Sequence, residues 1–285
     1  MGTAFPENIQ VSHKHTVMEG KQIVTLTTDW GYRDFFAGKV KGKLYSYIPG
    51  VEVVDITHGI EPYRLYDAIF VVKHACLDFP PGTIHIIDIS SSQTTQSPFV
   101  VVRYRDQYYI CTDNGLPYIV FGGDATEAVV IDNIGQESNF YTFAASDLFC
   151  KVASMIAHGA TLNDLGFPAE EFLRTTTYNN VPLPDGIKTY IAYIDAYGNA
   201  NLNITYDDFE RERRGRQFKM WVREVVLTEV VPSYVNARAS GNSRAAALLT
   251  VSSTGFLQIA IREGSAADLM NLRAQESINI RFFDK

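Results

Sequence analysis

Cysteine is scarce in this chain: three residues among 285, and an odd number. Cys76, Cys111 and Cys150 lie far apart in apolar surroundings and form no CxxC pair, which excludes a disulfide framework and structural zinc. All three are expected to be plain buried thiols. The six histidines are scattered without an HxxxH pair, so no metal site is written into the sequence and no cofactor is expected. No apolar run approaches the ~18 residues a bilayer span needs. The glycines make no GxGxxG or phosphate-binding loop, and there is no GxSxG elbow. Positive charge is short as well: 25 Lys and Arg against 32 Asp and Glu leave a formal net charge of -7. Such a surface repels phosphate backbones and anionic lipid, so neither nucleic acid nor membrane is an expected partner. Residues 1–20 read as a flexible leader without the apolar stretch of a signal peptide, and a cytoplasmic location is expected.

What is present is a large apolar fraction, 46%, with 12% aromatic residues, enough for a real core. The length suits two domains. From Ile23 the chain alternates: strand 23–29, helix 34–50, strand 51–57, helix 67–79, strand 83–90. That alternation predicts βαβ units and a mainly parallel sheet. A hairpin over 99–115, a strand over 127–133 and a helix over 146–159, capped by Ser146 and ended by Gly159, complete an α/β domain over 21–178. After a polar stretch over 175–186 the periodic segments turn short and β-like: 187–195, 218–230, 246–253, 256–261 and 278–283. Only 265–272 reads as helical there, and the basic RERRGR run (211–216) reads as a solvated insertion. The expectation is a smaller all-β domain, barrel or sandwich, over 187–285.

Open α/β sheets bind ligands at the C-terminal tips of their parallel strands. Three tips are polar: TTDWGYRD (27–34), DITHGIEP (55–62) and DISSSQTTQS (88–97). Asp29 or Asp34 is a candidate ligand group or a cap for the next helix, and His58 suits a strand-end brace. Asp88 and Ser90, two apart on one strand, would share a face ~6.6 Å apart. A carboxylate there can orient water through a seryl hydroxyl, or simply satisfy nearby backbone.

Several segments in register resemble the S-adenosylmethionine hydroxide adenosyltransferase (SAM hydrolase) and fluorinase/chlorinase family. TTDWGYRDFFAGKVKG resembles its TDFGxxD opening, VEVVDITHGIEP its IVDITHxIPP, FPPGTIHIIDIS its FPxGTVHVxVVD and TDNGL its PDNGLL. YIDAYGNANLNI resembles IDxFGNLITNI, and SSTGFLQIAIREGSA resembles NSSGYLEIAVNGGSA. The resemblance runs from about 23 to 283. It implies nucleophilic substitution at C5′ of S-adenosylmethionine, giving adenosine and methionine when water attacks. It further implies that Asp29 holds the ribose hydroxyls, Tyr63 walls the ribose, Tyr197 stacks on adenine and Asn199 bonds the adenine edge. Asp195 and Ser253 would hold the methionine end, and the backbone at Arg262 and Glu263 would complete the adenine site. A homotrimer is implied too, its nucleoside pocket shared between neighbouring subunits.

The chain departs from the family pattern at the water-activating positions. The family's Asp, Arg and His fall on Ser90, Ser97 and Ala144, and the halogenase serine falls on Ala145. Three outcomes follow: a substitution enzyme with Asp88 and Ser90 as relocated catalytic candidates, an adenosyltransferase using another nucleophile such as a halide, or a degenerate protein that only binds adenosine or S-adenosylmethionine.

Overall fold

The structure is a computed structural model. It describes residues 20–284 apart from 93, 123–126, 133, 136–141, 177 and 237–246; the expected leader over 1–20 therefore lies almost wholly outside the described residues.

The first sheet contains β1 (Ile23–Thr28), β2 (Glu52–Thr57), β3 (Ile84–Asp88), β4 (Phe99–Tyr104), β5 (Gln107–Thr112), β6 (Glu127–Ile131) and β7 (Gly166–Pro168). Their order is β2-β1-β3-β5-β4-β6-β7. Strands β2, β1, β3 and β5 pair in parallel; β4, β6 and β7 extend the sheet antiparallel. The mostly parallel reading holds where it matters for a site, at the β1, β2 and β3 tips.

Helices cover both faces. On one side, α1 (Phe36–Tyr47) and α4 (Cys150–Ala157) pack on Val24, Leu26, Ile84, Ile86 and Ile110. On the other, α2 (Leu65–Ala75) and α3 (Leu116–Phe121) cover Ile87, Val100, Val102 and Cys111. Strand β3, IHIID, is buried at every position, as a strand covered on both faces must be. The helix expected from a Ser146 cap starts differently. Residues Ala145–Phe149 form a π-helical turn, Ser146 is fully buried inside it, and no side chain caps the entry. The stop is as expected: Gly159 follows the last turn at φ +92°. The four-residue α5 (Leu162–Leu165) leads into β7.

The second domain is all antiparallel: β8 (Val181–Leu183), β9 (Gly186–Ile194), β10 (Ala200–Thr205), β11 (Gln217–Val222), β12 (Val225–Leu227), β13 (Ala247–Val251), β14 (Phe256–Ile261) and β15 (Ser277–Phe283). The order β12-β11-β15-β9-β10-β14-β13, with a bridge from Val230 to Leu249, makes a nearly closed barrel. The single segment expected over 218–230 is two strands, because Arg223 turns at φ +57° between them. The RERRGR run is solvated, as expected, and partly helical. Its first half ends α6 (Tyr206–Arg213), capped by the Thr205 hydroxyl and anchored by fully buried Phe209 against Phe218. Helix α7 (Ala266–Met270) falls inside the segment expected to be helical.

Candidate functional site

The β1 tip carries Asp29, and its carboxylate is a knot between three loops. Oδ2 accepts the backbone N–H of Tyr63 at 3.4 Å and of Ser90 at 3.3 Å. The expected cap role is absent, since Phe35 precedes α1 without any side-chain cap. Tyr63 sits at φ +69° and is 83% exposed, so the chain turns sharply there and offers the ring outward.

Asp88 ends β3 and is only 5% exposed. The Trp30 indole Nε1–H donates to its Oδ2 at 2.9 Å. Burial pushes the Asp88 carboxyl up to about 6, the nearby Asp29 charge adds to this, and the Ser91 hydroxyl and Trp30 indole oppose it. Trp30 is itself wedged: it stacks on His58 (5.6 Å, 18°) and meets Phe143 edge-on at 5.1 Å. Ser90 does not share a strand face with Asp88. The strand stops at Asp88 and Ser90 adopts φ +51°, which sends its N–H to Asp29. A turn residue with left-handed backbone breaks the two-residue alternation on which that expectation rested.

Behind the tip runs a polar chain that the sequence only hinted at. Lys41 Nζ lies 2.6 Å from Asp55 Oδ2, His58 Nε2 lies 3.1 Å from Asp55 Oδ1, and His58 Nδ1 shares a hydrogen bond of 2.6 Å with Thr28 Oγ1. Burial lowers the His58 pKa, with Asp55 pulling the other way. A fully buried imidazole hydrogen-bonded at Nδ1, with Nε2 facing the Asp55 carboxylate, suits the strand-end brace expected of His58.

The second group lies in the barrel. Asp195 Oδ1 accepts the N–H of Tyr197 and of Asn199, both at 2.9 Å, while Oδ2 takes the Asn199 amide at 3.0 Å and the Gln258 amide at 3.3 Å. This carboxylate shapes its own loop. Asn199 is 7% exposed; Tyr197 is 81% exposed. Gly198, at φ +76°, lets the loop press on Ser265, where an added Cβ would stand 2.0 Å from the hydroxyl oxygen. Arg262 and Glu263 pair at 3.4 Å on the surface beside that contact, Glu263 at φ +57°. Ser253 is exposed in the turn between β13 and β14.

Helix α2 joins the domains: Phe70 stacks on Tyr193 (4.7 Å, 10°), and Tyr66 meets Tyr178, which in turn meets Tyr190 at 5.5 Å. A cleft between them is lined by Thr57, Glu61, Asp67, Tyr193 and Asp195. Within one chain, then, Asp29, Tyr63, Asp88 and Ser90 come together, as do Asp195, Tyr197, Asn199, Arg262 and Glu263. Among the described residues, no hydrogen bond or ring contact joins the first group to the second. Of the remaining family positions, Ser97 bonds back to Thr94, and Ala144 packs against the core. Among the described residues, no cluster of three or more His, Cys, Asp or Glu side chains could hold a metal, and no helix is long and apolar enough to cross a membrane.

The chain is 24% identical over 269 residues to an (R)-S-adenosyl-L-methionine hydrolase of Methanocaldococcus jannaschii, covering 90% of this chain and 95% of that one. It is 24% identical over 296 residues to a fluorinase of an Actinoplanes species, covering 92% and 98%. Among solved structures, an uncharacterized conserved protein from Thermotoga maritima superposes with a TM-score of 0.80 at 26% identity, covering 91% of this chain and all of that one. Models of the SAM hydroxide adenosyltransferase N-terminal and C-terminal domains match residues 24–166 and 189–279, and the chain belongs to the SAM hydroxide adenosyltransferase family.

Proposed function

We propose that this protein catalyses nucleophilic substitution at C5′ of S-adenosylmethionine, releasing methionine and, with water as attacker, adenosine. The observation that carries the reading is the Asp29 knot. One carboxylate fixes the loops after β2 and β3 through Oδ2, and among the described residues its Oδ1 has no partner. A ribose diol is a donor pair for such an acceptor. The leaving group is a neutral thioether expelled from a sulfonium, so the protein's task is to align an attacker in line with the C5′–S bond and exclude bulk water.

In this reading Asp29 and Tyr63 hold the ribose, Tyr197 stacks on adenine and Asn199 orients its edge. The Asp195 loop, Ser253 and the Arg262–Glu263 backbone close around the remainder, with Asp88 and Ser90 nearest the reacting carbon. Because Asp195 is committed to its own loop, it would hold the methionine ammonium by charge rather than through a spare oxygen. Tyr63 and Tyr197 are large rings left exposed on different domains; a homotrimer that brings one subunit's Tyr63 to a neighbour's Tyr197 would cover both. The purified protein incubated with S-adenosylmethionine should release adenosine, followed by chromatography. Asp29→Ala should weaken S-adenosylmethionine binding in calorimetry by ~1.5–3 kcal/mol, the scale of a hydrogen bond to a charged group. Binding without turnover would support a degenerate receptor, the reading favoured by Ser90, Ser97 and Ala144; no heat with either protein would defeat both.

A further inference from the structure

Four side-chain oxygens at the carboxyl end of the first sheet are buried without a hydrogen-bond partner: Asp88 Oδ1, Ser91 Oγ, Thr112 Oγ1 and Ser146 Oγ. The topology draws them to one place. Strands β3 and β5 run parallel with Ile86 opposite Ile110. Two residues further on, Asp88 and Thr112 stand side by side on the α1/α4 face, on strands ~4.8 Å apart. The Ser91 hydroxyl lies close enough to the Asp88 carboxyl to lower its pKa, without the geometry of a hydrogen bond. Ser146 belongs to the π-helical turn that packs on β3. Phe149 of that turn meets Phe99 edge-on at 5.0 Å, and Phe99 is the cross-strand partner of Thr112. A π turn at the start of a helix forgoes regular helix hydrogen bonds, and such turns are frequent at functional sites.

A buried hydroxyl left unpaired costs about 1–3 kcal/mol. Several together, around a carboxylate, describe a cradle for something small and polar. Asp29 stands next to it, since its Oδ2 takes the N–H of Ser90, the neighbour of Ser91. We propose that Asp88, Ser91, Thr112 and Ser146 form the nucleophile pocket of this chain, and that the nucleophile they select is water rather than a halide.

The proposal rests on the substitution chemistry proposed above. Hydroxyls can donate to an anion or to water without preference, so the choice falls to Asp88. Trp30 holds its Oδ2 and leaves Oδ1 to accept a proton. An ionised carboxylate in a desolvated pocket repels chloride or fluoride and attracts the O–H of water. With its carboxyl pushed up to about 6, Asp88 is still mostly ionised at neutral pH yet basic enough to take a proton. The other charged groups around it are Asp29 at the β1 tip, Asp113 next on β5 and turned to the Leu173 N–H (2.9 Å), the Lys43–Asp147 pair at 3.6 Å between α1 and the π turn, and neutral His58 behind Trp30. In the step, a lone pair of the water oxygen forms the O–C5′ bond. The C5′–S pair returns to sulfur as a neutral thioether, and the water proton passes to Asp88 and then to solvent.

The test uses the full chain with S-adenosylmethionine in chloride buffer. Adenosine and 5′-chloro-5′-deoxyadenosine are quantified between pH 5 and 9, and affinity is measured in parallel by calorimetry. Adenosine alone is expected, with kcat rising to a plateau through a midpoint near 6. Asp88→Asn should lower kcat by ~10²–10⁴-fold and abolish that rise while affinity stays the same. Thr112→Val and Ser146→Ala, which leave the carboxylate in place, should each lower kcat by ~3–10-fold and keep the pH dependence. Chlorinated product forming as fast as adenosine, or wild-type kcat and pH profile in Asp88→Asn, would overturn the pocket. Affinity separates the failures: intact binding with unaffected variants overturns the pocket alone, and absent binding overturns the substitution reading with it.

Discussion

Replacing Asp88 by Asn should make the protein more stable while removing its reactive group. The carboxyl ordinarily titrates near 3.8 and burial pushes it up to about 6. A tenfold change in proton affinity is ~1.4 kcal/mol, so keeping this group ionised in the fold costs about 3 kcal/mol. The sign follows from proton binding. Between pH 4 and 6 the folded protein holds the Asp88 proton more tightly than the unfolded chain does, so stability falls as pH rises through that window. The whole cost is present above pH 7. Asn is nearly isosteric, is never charged, and its amide oxygen can still accept from the Trp30 indole at the 2.9 Å position. At pH 8 the variant should therefore be more stable by about 2–3 kcal/mol on that same scale, and at pH 3.5 the two proteins should unfold together. Urea unfolding at fixed protein concentration and several pH values reads the difference directly, and subtracting the two curves cancels every other titrating group. A variant less stable than wild type at pH 8, or a gap that does not change with pH, would show that Asp88 is a structural anchor.

Two further expectations bear on the rest of the site. Gly198→Ala should destabilise the barrel domain, because φ +76° is strained for alanine by about 1–3 kcal/mol and its Cβ would also meet Ser265 at 2.0 Å; an unchanged thermal midpoint would refute the close approach. Light scattering at micromolar concentration should give three times the 31.9 kDa chain mass, whereas a strict monomer would leave Tyr63 and Tyr197 without the proposed partner surfaces.

The parallel strands were legible because burial on both faces leaves runs rich in β-branched residues without alternating exposed charges, such as IVTLTT and IHIID. The paired motifs made the two halves of the candidate site legible as well. What escaped was set by single backbone angles and by helices with little apolar face. Ser90 carries no mark of its left-handed turn, so alternation placed it beside Asp88. Arg223, equally unmarked, splits one apparent strand into two. Helix α6 shows the core only Phe209, one apolar signal among charges, which is too little periodicity to read. Ser146 has the chemistry of a cap, yet the π turn buries it; only packing against β3 decides between those fates. Thr112 was missed for a related reason: inside the TDNGL motif it is an ordinary strand-end threonine until β5 is laid beside β3.

The three thiols, noted first for their rarity, give the chain a particular chemical temperament. Cys76, Cys111 and Cys150 are all buried. Burial pushes the Cys76 thiol up to about 12 and raises Cys111 as well. Thiolate is the species that peroxide, disulfides and electrophiles attack. Cys76 and Cys111 offer almost none of it, and burial leaves all three little path to reach it. Thiol exchange and alkylation of the folded protein should accordingly be slow at these three positions. A single cysteine introduced at Tyr63 would be the one thiol a maleimide could find, and would report on the covering of that surface with no competing signal.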